Sequence, residues 1–500
     1  MVNPQITIHT AAGIDRIEPE LHGHFSEHLG RCIYDGIWHS ATDDGEGYRE
    51  DVVGLLDNLD ISVLRWPGGC FADDYHWEDG VGPRDERPRR RNMFWAQDVD
   101  ERPEEPNDFG TDEFLQLCER IDTEPYLAAN VGSGDPREAA DWVEYSNYDG
   151  DTELADRRRE NGHEEPYGVR YWGIGNENWG CGGQMNPEQY AQEYRRFATY
   201  VGSMDKLMVD HDLELIACGF ENHEWNRRFM EEVASGNWGV EFPLDHLTLH
   251  HYYGRKMSVA EADEEQYDRF LVEALEIGDH IERIAAAIDA VATTRDIGVV
   301  IDEWGAWHTE AVAETGLEQP GTVIDALSAA AVLDVFNHHA DVMTMGNIAQ
   351  TVNVLQCLVE TDGDDAWARP TYHVFDLYAP HKGNVAVQTS VATPTRELDD
   401  GETELPIVGA SASVGQEEAY VTVTNLDCSL AHTVEVDVEG VDLAQADIEG
   451  KVLFEDKTPD TVVDADNADW FGAEVLDVPL EDGTLRVELS PAAVAGIAIR

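Results

Sequence analysis

The sequence predicts an α/β protein in which a (β/α)8 TIM barrel is followed by a jelly-roll-like β-sandwich. Eight apolar runs alternate with helix-like segments over about 350 residues, a pattern typical of a barrel of parallel strands. After Tyr378 the helical period disappears, and short strand-like runs alternate with acidic and glycine-rich turns. Two of the apolar runs lead into a glutamate set among aromatic residues, Glu177 and Glu303.

The candidate barrel strands are short apolar runs bounded by turn-forming residues. They are Leu21–Ser26, Ile61–Trp66, Pro125–Asn130, Arg170–Glu177, Glu214–Phe220, His246–Tyr253, Gly298–Trp304 and Val342–Ile348. Helix-like segments between them include Asp112–Ile121, Pro187–Asp205, Glu264–Leu275 and His280–Thr294. In this order Glu177 belongs to the fourth strand and Glu303 to the seventh.

The C-terminal part predicts an all-β unit. Its candidate strands are Val385–Val391, Glu404–Val414, Glu418–Asn425, Thr433–Val438, Ile448–Glu455, Glu474–Val478 and Thr484–Ile499. We therefore expect an N-terminal strand within residues 1–17, a barrel over 18–380 and a sandwich over 381–500. Residues 86–108, rich in Arg, Pro and acidic side chains, predict a long loop over the barrel mouth.

The composition indicates a globular, strongly acidic protein. An apolar content of 42% and 13 Trp allow large buried cores. The chain carries 102 acidic against 33 basic residues, for a net charge of −69, and few of the basic residues are Lys. Such a surface repels itself in dilute salt, so it predicts a high-salt cytoplasm, as in a halophilic archaeon. The same charge argues against nucleic acid and anionic membranes as partners.

Cysteines and the N-terminus indicate the compartment. The seven Cys are scattered and lack zinc-like pairs, which predicts free thiols in a reducing environment. The first residues show no basic, apolar or twin-Arg leader, and no stretch approaches 18 apolar residues. These features predict a cytoplasmic protein without a membrane segment.

Two strand-end glutamates suit the hydrolysis of a glycosidic bond. One carboxyl protonates the leaving oxygen, while the other attacks the anomeric carbon or activates water. In α/β barrels, catalytic residues cluster at the carboxyl ends of the strands. A single such Glu can equally cap a helix or pair with an Arg, but Glu177 and Glu303 occupy matched contexts. A carboxyl separation of about 5–5.5 Å would indicate a retaining enzyme.

Several motifs, in a fixed order, resemble the glycoside hydrolase family 51 α-L-arabinofuranosidases. The resemblance extends from about Gly23 to about Tyr378. The motifs are Phe25–Arg31, Leu64–Asp73, Tyr75–Pro83, Arg170–Gly180, Leu249–Gly254 and Ala349–Val354. The family implies a barrel with a C-terminal sandwich that the N-terminal strand joins.

The resemblance implies roles for five residues. Glu177 is the expected general acid/base and Glu303 the expected nucleophile, while Asn176 is expected to hold the sugar 2-hydroxyl. Arg65 and Tyr252 are expected beside Glu303, which must stay ionised. From the sequence alone, Arg65 could also be a surface cation and Tyr252 a core aromatic residue.

Five further residues are expected to bind the substrate. By resemblance, Glu27 and Gln350 contact the furanose in the −1 subsite, although an exposed acid and a helix-capping amide are alternatives. Trp95, Trp179 and Trp307 are candidate walls for the sugar, or ordinary core residues. His250 and His251 are interpreted as strand-end residues that pack and hydrogen bond.

The sequence departs from better-known arabinan-active members at two places. Cys70, a further candidate for substrate binding, stands where Asn is frequent, and Asn178–Gly183 resembles a branch associated with xylan side chains. Both features favour arabinoxylan-type substrates. The family uses neither a catalytic metal nor a cofactor, and it implies a homo-oligomer, commonly a hexamer. The alternatives are a β-xylosidase or β-1,4-endoglucanase on the same barrel, and a non-catalytic carbohydrate-binding protein.

Overall fold

The computed structural model describes most of the chain. The described residues are 3–39, 47–95, 104–208, 212–235, 243–291, 296–416 and 418–500. Among them, no helix combines the length and apolar character that crossing a bilayer needs.

Eight parallel strands form a closed barrel. They are Gly23–Phe25, Val63–Trp66, Glu124–Ala129, Tyr171–Ile174, Glu214–Ala217, His246–Tyr253, Gly298–Ala306 and Met343–Ala349. Each strand pairs with the next in the chain, and the last pairs with the first. All eight predicted strands are confirmed, with Glu303 on the seventh strand and Glu177 in the segment that follows the fourth.

Side chains from several strands fill the interior of the barrel. A cluster within the sheet contains Val63, Tyr126, Tyr171, Ile216, Val300 and Met345, all of them buried. Because inward-pointing side chains from different strands stack in layers, the barrel is a packed core rather than a pore. A ligand therefore meets the barrel strands at an end of the barrel rather than within its centre.

Helices surround the barrel. They are Glu50–Leu59, Thr111–Arg120, Pro136–Asn147, Glu153–Glu160, Pro187–Asp205, His223–Ala234, Glu264–Leu275, Ile277–Asp289, Val323–His338 and Pro370–Tyr378. Several begin with strong local signals. The Asn186 side chain accepts a hydrogen bond from the Gln189 backbone N–H, and the Gln189 side chain accepts one from the Asn186 backbone N–H. Pro187 occupies the first helical position.

The remaining large sheet has ten strands. They are Gln5–Arg16, Val385–Ala392, Val408–Val414, Ala419–Asn425, His432–Glu439, Ile448–Leu453, Glu474–Leu476, Leu480–Glu481, Thr484–Leu489 and Val494–Ile499. The N-terminal strand lies between Val385–Ala392 and His432–Glu439. Side chains from both ends of the sheet share one apolar cluster, so the sheet folds over itself as a sandwich.

The structure divides two of the predicted C-terminal strands. Thr484–Leu489 pairs with His432–Glu439, whereas Val494–Ile499 pairs with Ala419–Asn425. A turn at Ser490–Ala493 separates them, with Ala492 at a φ of 59°. The predicted strand Glu404–Val414 likewise becomes Glu404–Pro406 and Val408–Val414. Apolar runs alone do not reveal such turns, because the residues on both sides are equally apolar.

Two other predictions change in extent. The helix expected at 280–294 spans Ile277–Asp289, and residues 292–295 lie outside the described part of the chain. Within the loop expected at 86–108, Arg90–Arg91 pairs with Glu104–Glu105, and residues 96–103 also lie outside it. Two further ribbons pair Val359–Asp362 with Asp365–Ala368, and Thr395–Glu397 with Glu404–Pro406.

Polar contacts join the barrel to the sandwich. Asp334, on the buried helix Val323–His338, accepts hydrogen bonds from Ser411, Thr422 and Tyr378. Apolar residues from both parts also belong to one core cluster. The sandwich therefore packs against the helix Val323–His338, which follows the seventh barrel strand in the chain. We propose the division 1–17, 18–380 and 381–500 for these parts.

Candidate active site

A cavity of about 540 Å³ opens at the carboxyl ends of the barrel strands. Ten of the eleven predicted site residues line it: Glu27, Cys70, Trp95, Asn176, Glu177, Trp179, Tyr252, Glu303, Trp307 and Gln350. The eleventh, Arg65, is fully buried at the edge of the cavity and contacts two of the others. The structure thus brings together every residue that the sequence nominated for the site.

Two donors hold the carboxylate of Glu303. Arg65 Nη1 donates to Oε1 at 2.7 Å, and the Tyr252 hydroxyl donates to Oε2 at 2.8 Å. Arg65 is itself fixed, because its Nη2 donates to Asn176 Oδ1 at 2.6 Å and its guanidinium lies 4.6 Å from the Phe25 ring centroid. A buried cation and a hydroxyl therefore orient this carboxylate and stabilise its negative charge.

Glu177 lies three residues beyond the fourth strand and is more open. Its side chain is 21% exposed, whereas that of Glu303 is 6% exposed. Its Oε1 lies 2.8 Å from His250 Nδ1, and its Oε2 lies 3.8 Å from Cys181 Sγ. One oxygen of Glu177 and one of Glu303 lie within 4.8 Å of each other. The more open glutamate can exchange protons with solvent, and the buried one is held by fixed donors.

His250 lies between the two glutamates. Its Nδ1 is 3.4 Å from Glu303 Oε2, and its Nε2 is 3.1 Å from Asp302 Oδ1. Burial alone would lower the pKa of His250, but the charges of Glu303 and Asp302 and hydrogen bonds to Asp302 and Glu177 raise it well above its usual value. These surroundings favour the protonated ring, which faces three carboxylates.

Both histidines are buried near the strand end and form hydrogen bonds, as interpreted, but only His251 lies away from the cavity. Its Nε2 donates to the backbone oxygen of Glu273 at 2.9 Å, away from the cavity. His250 was missed although a signal existed. Alternation along a strand places His250 on the same face as Tyr252, which was already assigned to the site.

Glu27 and Gln350 meet on another side of the cavity. Glu27 accepts from the Phe71 backbone at 3.0 Å, from Trp95 Nε1 at 2.8 Å and from Gln350 Nε2 at 3.2 Å. Burial, followed by the charge of Glu303, raises the pKa of Glu27 to about 7. The carboxyl is held in place but retains lone pairs for a sugar hydroxyl.

Aromatic side chains form the walls of the outer cavity. Trp179 stacks on Phe220 with ring centroids 4.2 Å apart. Trp307 packs edge-on against Tyr252, and the guanidinium of Arg255 lies 4.3 Å from the Trp307 ring centroid. Sequence reasoning did not identify Phe220 and Arg255, because no motif marks either of them.

The prediction of free cysteines is wrong at one pair. Cys70 and Cys181 form a disulfide, and Cys181 is four residues past Glu177. They are 111 positions apart in the chain, but the loops that carry them follow the second and fourth barrel strands and meet at the barrel mouth. The other cysteines, Cys32, Cys118, Cys218, Cys357 and Cys428, are free.

A (β/α)8 barrel with two facing glutamates in an aromatic-walled cavity defines a glycoside hydrolase. The family profile described as "Alpha-L-arabinofuranosidase 1 domain" matches residues 55–270, and that of the "Alpha-L-arabinofuranosidase C-terminal domain" matches residues 302–492. The chain belongs to the α-L-arabinofuranosidases of glycoside hydrolase family 51.

Named relatives agree with this assignment. An "Intracellular exo-alpha-L-arabinofuranosidase" of Bacteroides ovatus is 36% identical, over 97% of this chain and 93% of that protein. An "Intracellular exo-alpha-(1->5)-L-arabinofuranosidase" of Streptomyces lividans is 31% identical, over 98% of this chain and 74% of that protein. The crystal structure of the family 51 arabinofuranosidase from Xanthomonas axonopodis pv. citri superimposes with a TM-score of 0.91, at 34% identity and over 100% of both chains.

Proposed function

We propose that this chain is a retaining, exo-acting α-L-arabinofuranosidase that works by double displacement. The observation that carries this proposal is the close approach of Glu177 and Glu303, whose nearest oxygens lie within 4.8 Å. Retaining enzymes place the two carboxyl groups about 5–5.5 Å apart. Inverting enzymes leave about 6.5–9.5 Å, which makes room for a water molecule.

In the first step Glu303 attacks the anomeric carbon while Glu177 protonates the leaving oxygen. The bond to the leaving group breaks as a glycosyl–enzyme ester forms on Glu303. In the second step Glu177 takes a proton from water, and the water displaces Glu303. When the Glu303 carboxylate is released, Arg65 and Tyr252 stabilise its negative charge, because both donate hydrogen bonds to it.

The inner cavity supports a −1 subsite for a furanose ring. Asn176 is the proposed partner of the 2-hydroxyl, and its hydrogen bond from Arg65 supports this role by fixing the amide. Glu27 and Gln350 form a linked polar pair that suits the remaining hydroxyls. Trp95 donates to Glu27, while Trp179 and Trp307 line the outer part of the same cavity and suit the leaving sugar.

The proposed substrates are arabinoxylan- or arabinan-derived oligosaccharides with a terminal, non-reducing arabinofuranose. Exo action is supported by the printed names of the Bacteroides and Streptomyces relatives. Cys70 and the Gly-Cys-Gly-Gly run after Trp179 favour arabinoxylan-type side chains. The paired glutamates count against a non-catalytic binding protein. A structure that shares the fold at 13% identity is titled a bifunctional glucanase-xylanase, and this likeness concerns the fold alone.

The proposed setting is a cytoplasm of high salt, as in a halophilic archaeon. A net charge of −69 suits a medium in which surface repulsion is screened. Two relatives are named intracellular, which supports action on imported oligosaccharides rather than on polymer. The homo-oligomer, a hexamer, follows from the family resemblance.

The test is a substrate panel assayed in molar salt. Arabinosylated xylo- and arabino-oligosaccharides, aryl arabinofuranosides, aryl xylosides and soluble β-glucans are compared by kcat/KM. The initial product is followed by proton NMR to determine its anomeric form. Release of α-arabinofuranose before mutarotation is expected, and an inverted initial product would overturn double displacement.

A further inference from the structure

The wall beside Glu177 contains two sulfur atoms, those of Cys70 and Cys181, that the proposed reaction does not use. The two sulfurs of Cys70 and Cys181 and one carboxylate oxygen of Glu177 lie within 4.8 Å of one another. Both cysteines are partly exposed, and Cys70 lines the cavity, so reagents can reach the pair from solvent. In the oxidised protein the two sulfurs are bonded to each other, so neither is a thiolate.

We propose that reduction of this disulfide creates an inhibitory site for a thiophilic divalent cation, Zn²⁺ or Cd²⁺. The ligands are Cys70 Sγ, Cys181 Sγ and Glu177 Oε2. Such an ion prefers four ligands in a tetrahedron, with sulfur at about 2.3 Å and carboxylate oxygen at about 2.0–2.2 Å. Two thiolates and one carboxylate leave the fourth position to water.

The spacing of the three side chains fits one ion. Sulfur and oxygen ligands on a tetrahedral zinc lie roughly 3.5 Å apart. Cys181 Sγ lies 3.8 Å from Glu177 Oε2, so little movement is needed. The Cα atoms of the two cysteines are 5.7 Å apart, which keeps both sulfurs near one point after the bond opens. His250 approaches the other oxygen of Glu177 at 2.8 Å and orients the carboxylate.

The redox step balances with a trialkylphosphine as reductant. Phosphorus attacks one sulfur, the S–S bond breaks, and the other cysteine leaves as a thiolate that takes a proton. Water then hydrolyses the phosphorus–sulfur bond, which releases the second thiol and a phosphine oxide. The disulfide gains two electrons and the phosphine loses two. Binding of Zn²⁺ or Cd²⁺ subsequently releases the two thiol protons.

The bound ion would block catalysis for a geometric reason. It engages the carboxylate proposed as the acid/base, and it lies on the cavity wall beside Asn176, whose Nδ2 is 3.9 Å from Cys181 Sγ. Substrate and ion therefore compete for the same space. The oxidised enzyme lacks the two thiolates and should resist the ion.

The first experiment measures binding without using activity. Cd²⁺ is titrated into the full-length protein, oxidised or reduced by phosphine, and the ultraviolet cadmium–thiolate absorption is recorded. The reduced protein should bind one Cd²⁺ per chain, and bound Cd²⁺ should protect Cys70 and Cys181 from alkylation as mapped by mass spectrometry. The proposal would be overturned if the reduced protein showed no such absorption. It would also be overturned if both cysteines were alkylated as fast with Cd²⁺ as without it.

Matched variants locate the site. Reduced Cys181→Ser should bind Cd²⁺ at least roughly ten-fold more weakly than the reduced parent, since a direct ligand is lost. Cys428→Ser removes a free, half-buried thiol away from the cavity and should bind like the parent. Inhibition by Zn²⁺ is then compared with the metal-free rate of each protein, and equal inhibition of the oxidised and reduced parents would contradict the assignment. Because cadmium absorption requires no turnover, failure of the proposed glycosidase function would leave this result interpretable.

Discussion

At the scale of single residues, Glu177 and Glu303 show how surroundings give different properties to identical side chains. Glu303 is nearly buried and accepts from Arg65 and Tyr252. Glu177 is more open, with the His250 ring close to Oε1 and the Cys181 sulfur near Oε2. Such an asymmetry suits a fixed nucleophile beside an acid/base that exchanges protons with solvent.

Azide rescue tests these two roles. Glu303→Ala should abolish turnover, and azide in the vacated space should give the glycosyl azide of opposite anomeric form. Glu177→Ala should lower kcat/KM roughly 10²–10⁴-fold on natural linkages and far less on activated aryl substrates, because only poor leaving groups need the proton. Here the azide product should keep the substrate's anomeric form. Equal losses on both substrate types would count against the assignment of Glu177.

Glu27 gives a prediction about stability and pH. Its pKa is raised to about 7 by burial and by the charge of Glu303, so the folded state holds this proton more tightly than the unfolded state does. Protonated Glu27 contributes its full stabilisation at pH values below the pKa that this carboxyl has in the unfolded chain. The contribution is lost as the pH rises through the folded-state pKa of about 7. Glu27→Gln should therefore unfold at a higher temperature than the parent at pH 8 but not at pH 4.

The expected gain at pH 8 is on the order of 2–3 kcal/mol, accompanied by a loss of kcat/KM. Differential scanning calorimetry at a series of pH values measures it, with exposed Glu488→Gln as the matched control. A Glu27→Gln advantage that is the same at both pH values would contradict the argument.

Two of the residues that the sequence did not assign to the site owe their role to a contact between strands. His250 and Asp302 are adjacent in space only because the sixth and seventh strands pair side by side. Residues such as Glu177 and Arg65 stood in recognisable motifs, so the sequence could assign them. Strand alternation can place His250 on the face of the site, but its electrostatic role depends on three carboxylates from two other segments, which single-sequence patterns do not reveal.

At the scale of elements, glycines let the loops after the second and fourth strands approach the glutamates. A Cβ at Gly68 would lie 2.6 Å from Glu27 Cγ, and one at Gly69 would lie 3.1 Å from Glu303 Oε1. In the other loop, a Cβ at Gly182 would lie 2.5 Å from Asp73 Oδ2. Because glycine has no Cβ, the backbone of these loops can pack closely against the buried carboxylates of the site.

Gly182→Ala is therefore expected to disturb the site. Asp73 is buried and cannot swing into solvent, and the Gly182 backbone N–H donates to Glu177 O at 3.0 Å. The added methyl should cost about 1–3 kcal/mol of stability and lower kcat/KM as Glu177 shifts. The matched control is Gly54→Ala, because a Cβ there meets nothing within 4 Å and the residue lies inside the helix Glu50–Leu59.

The Gly54→Ala substitution should stabilise the protein by up to about 1 kcal/mol. Chemical denaturation and steady-state kinetics compare the two, and an unaffected Gly182→Ala enzyme would refute the packing argument.

The sequence predicted the elements whose position is set by the local pattern of apolar residues. It did not predict the features that depend on contacts between distant parts of the chain. All eight barrel strands follow from apolar runs, since both faces of a parallel strand are covered. The turn at Ser490–Ala493 and the Cys70–Cys181 bond do not follow. The turn joins two apolar strands, and the bond depends on two loops that meet only after the barrel closes.

At the scale of the whole molecule, charge is the dominant feature. The net charge of −69 is spread over 500 residues, and it already allows for the basic residues that form ion pairs such as Arg228–Glu188. Surface pairs of this kind contribute about 0–1 kcal/mol each. They do not offset the long-range repulsion among the remaining carboxylates, which extends over about 10 Å at 0.1 M salt and about 3 Å at 1 M.

We therefore predict that stability and activity rise steeply with salt. Interfaces of the proposed oligomer should fail first as salt is removed, because they bring like-charged surfaces together and bury less area than the barrel core. Sedimentation velocity, circular dichroism and kcat/KM are measured in KCl from molar concentration to about 0.1 M. Dissociation should precede or accompany the loss of helical signal. A matched series in sucrose separates charge screening from general stabilisation, since sucrose favours compact states without screening charge. A protein that stays assembled and active at about 0.1 M KCl would show that its acidity is not an adaptation to salt.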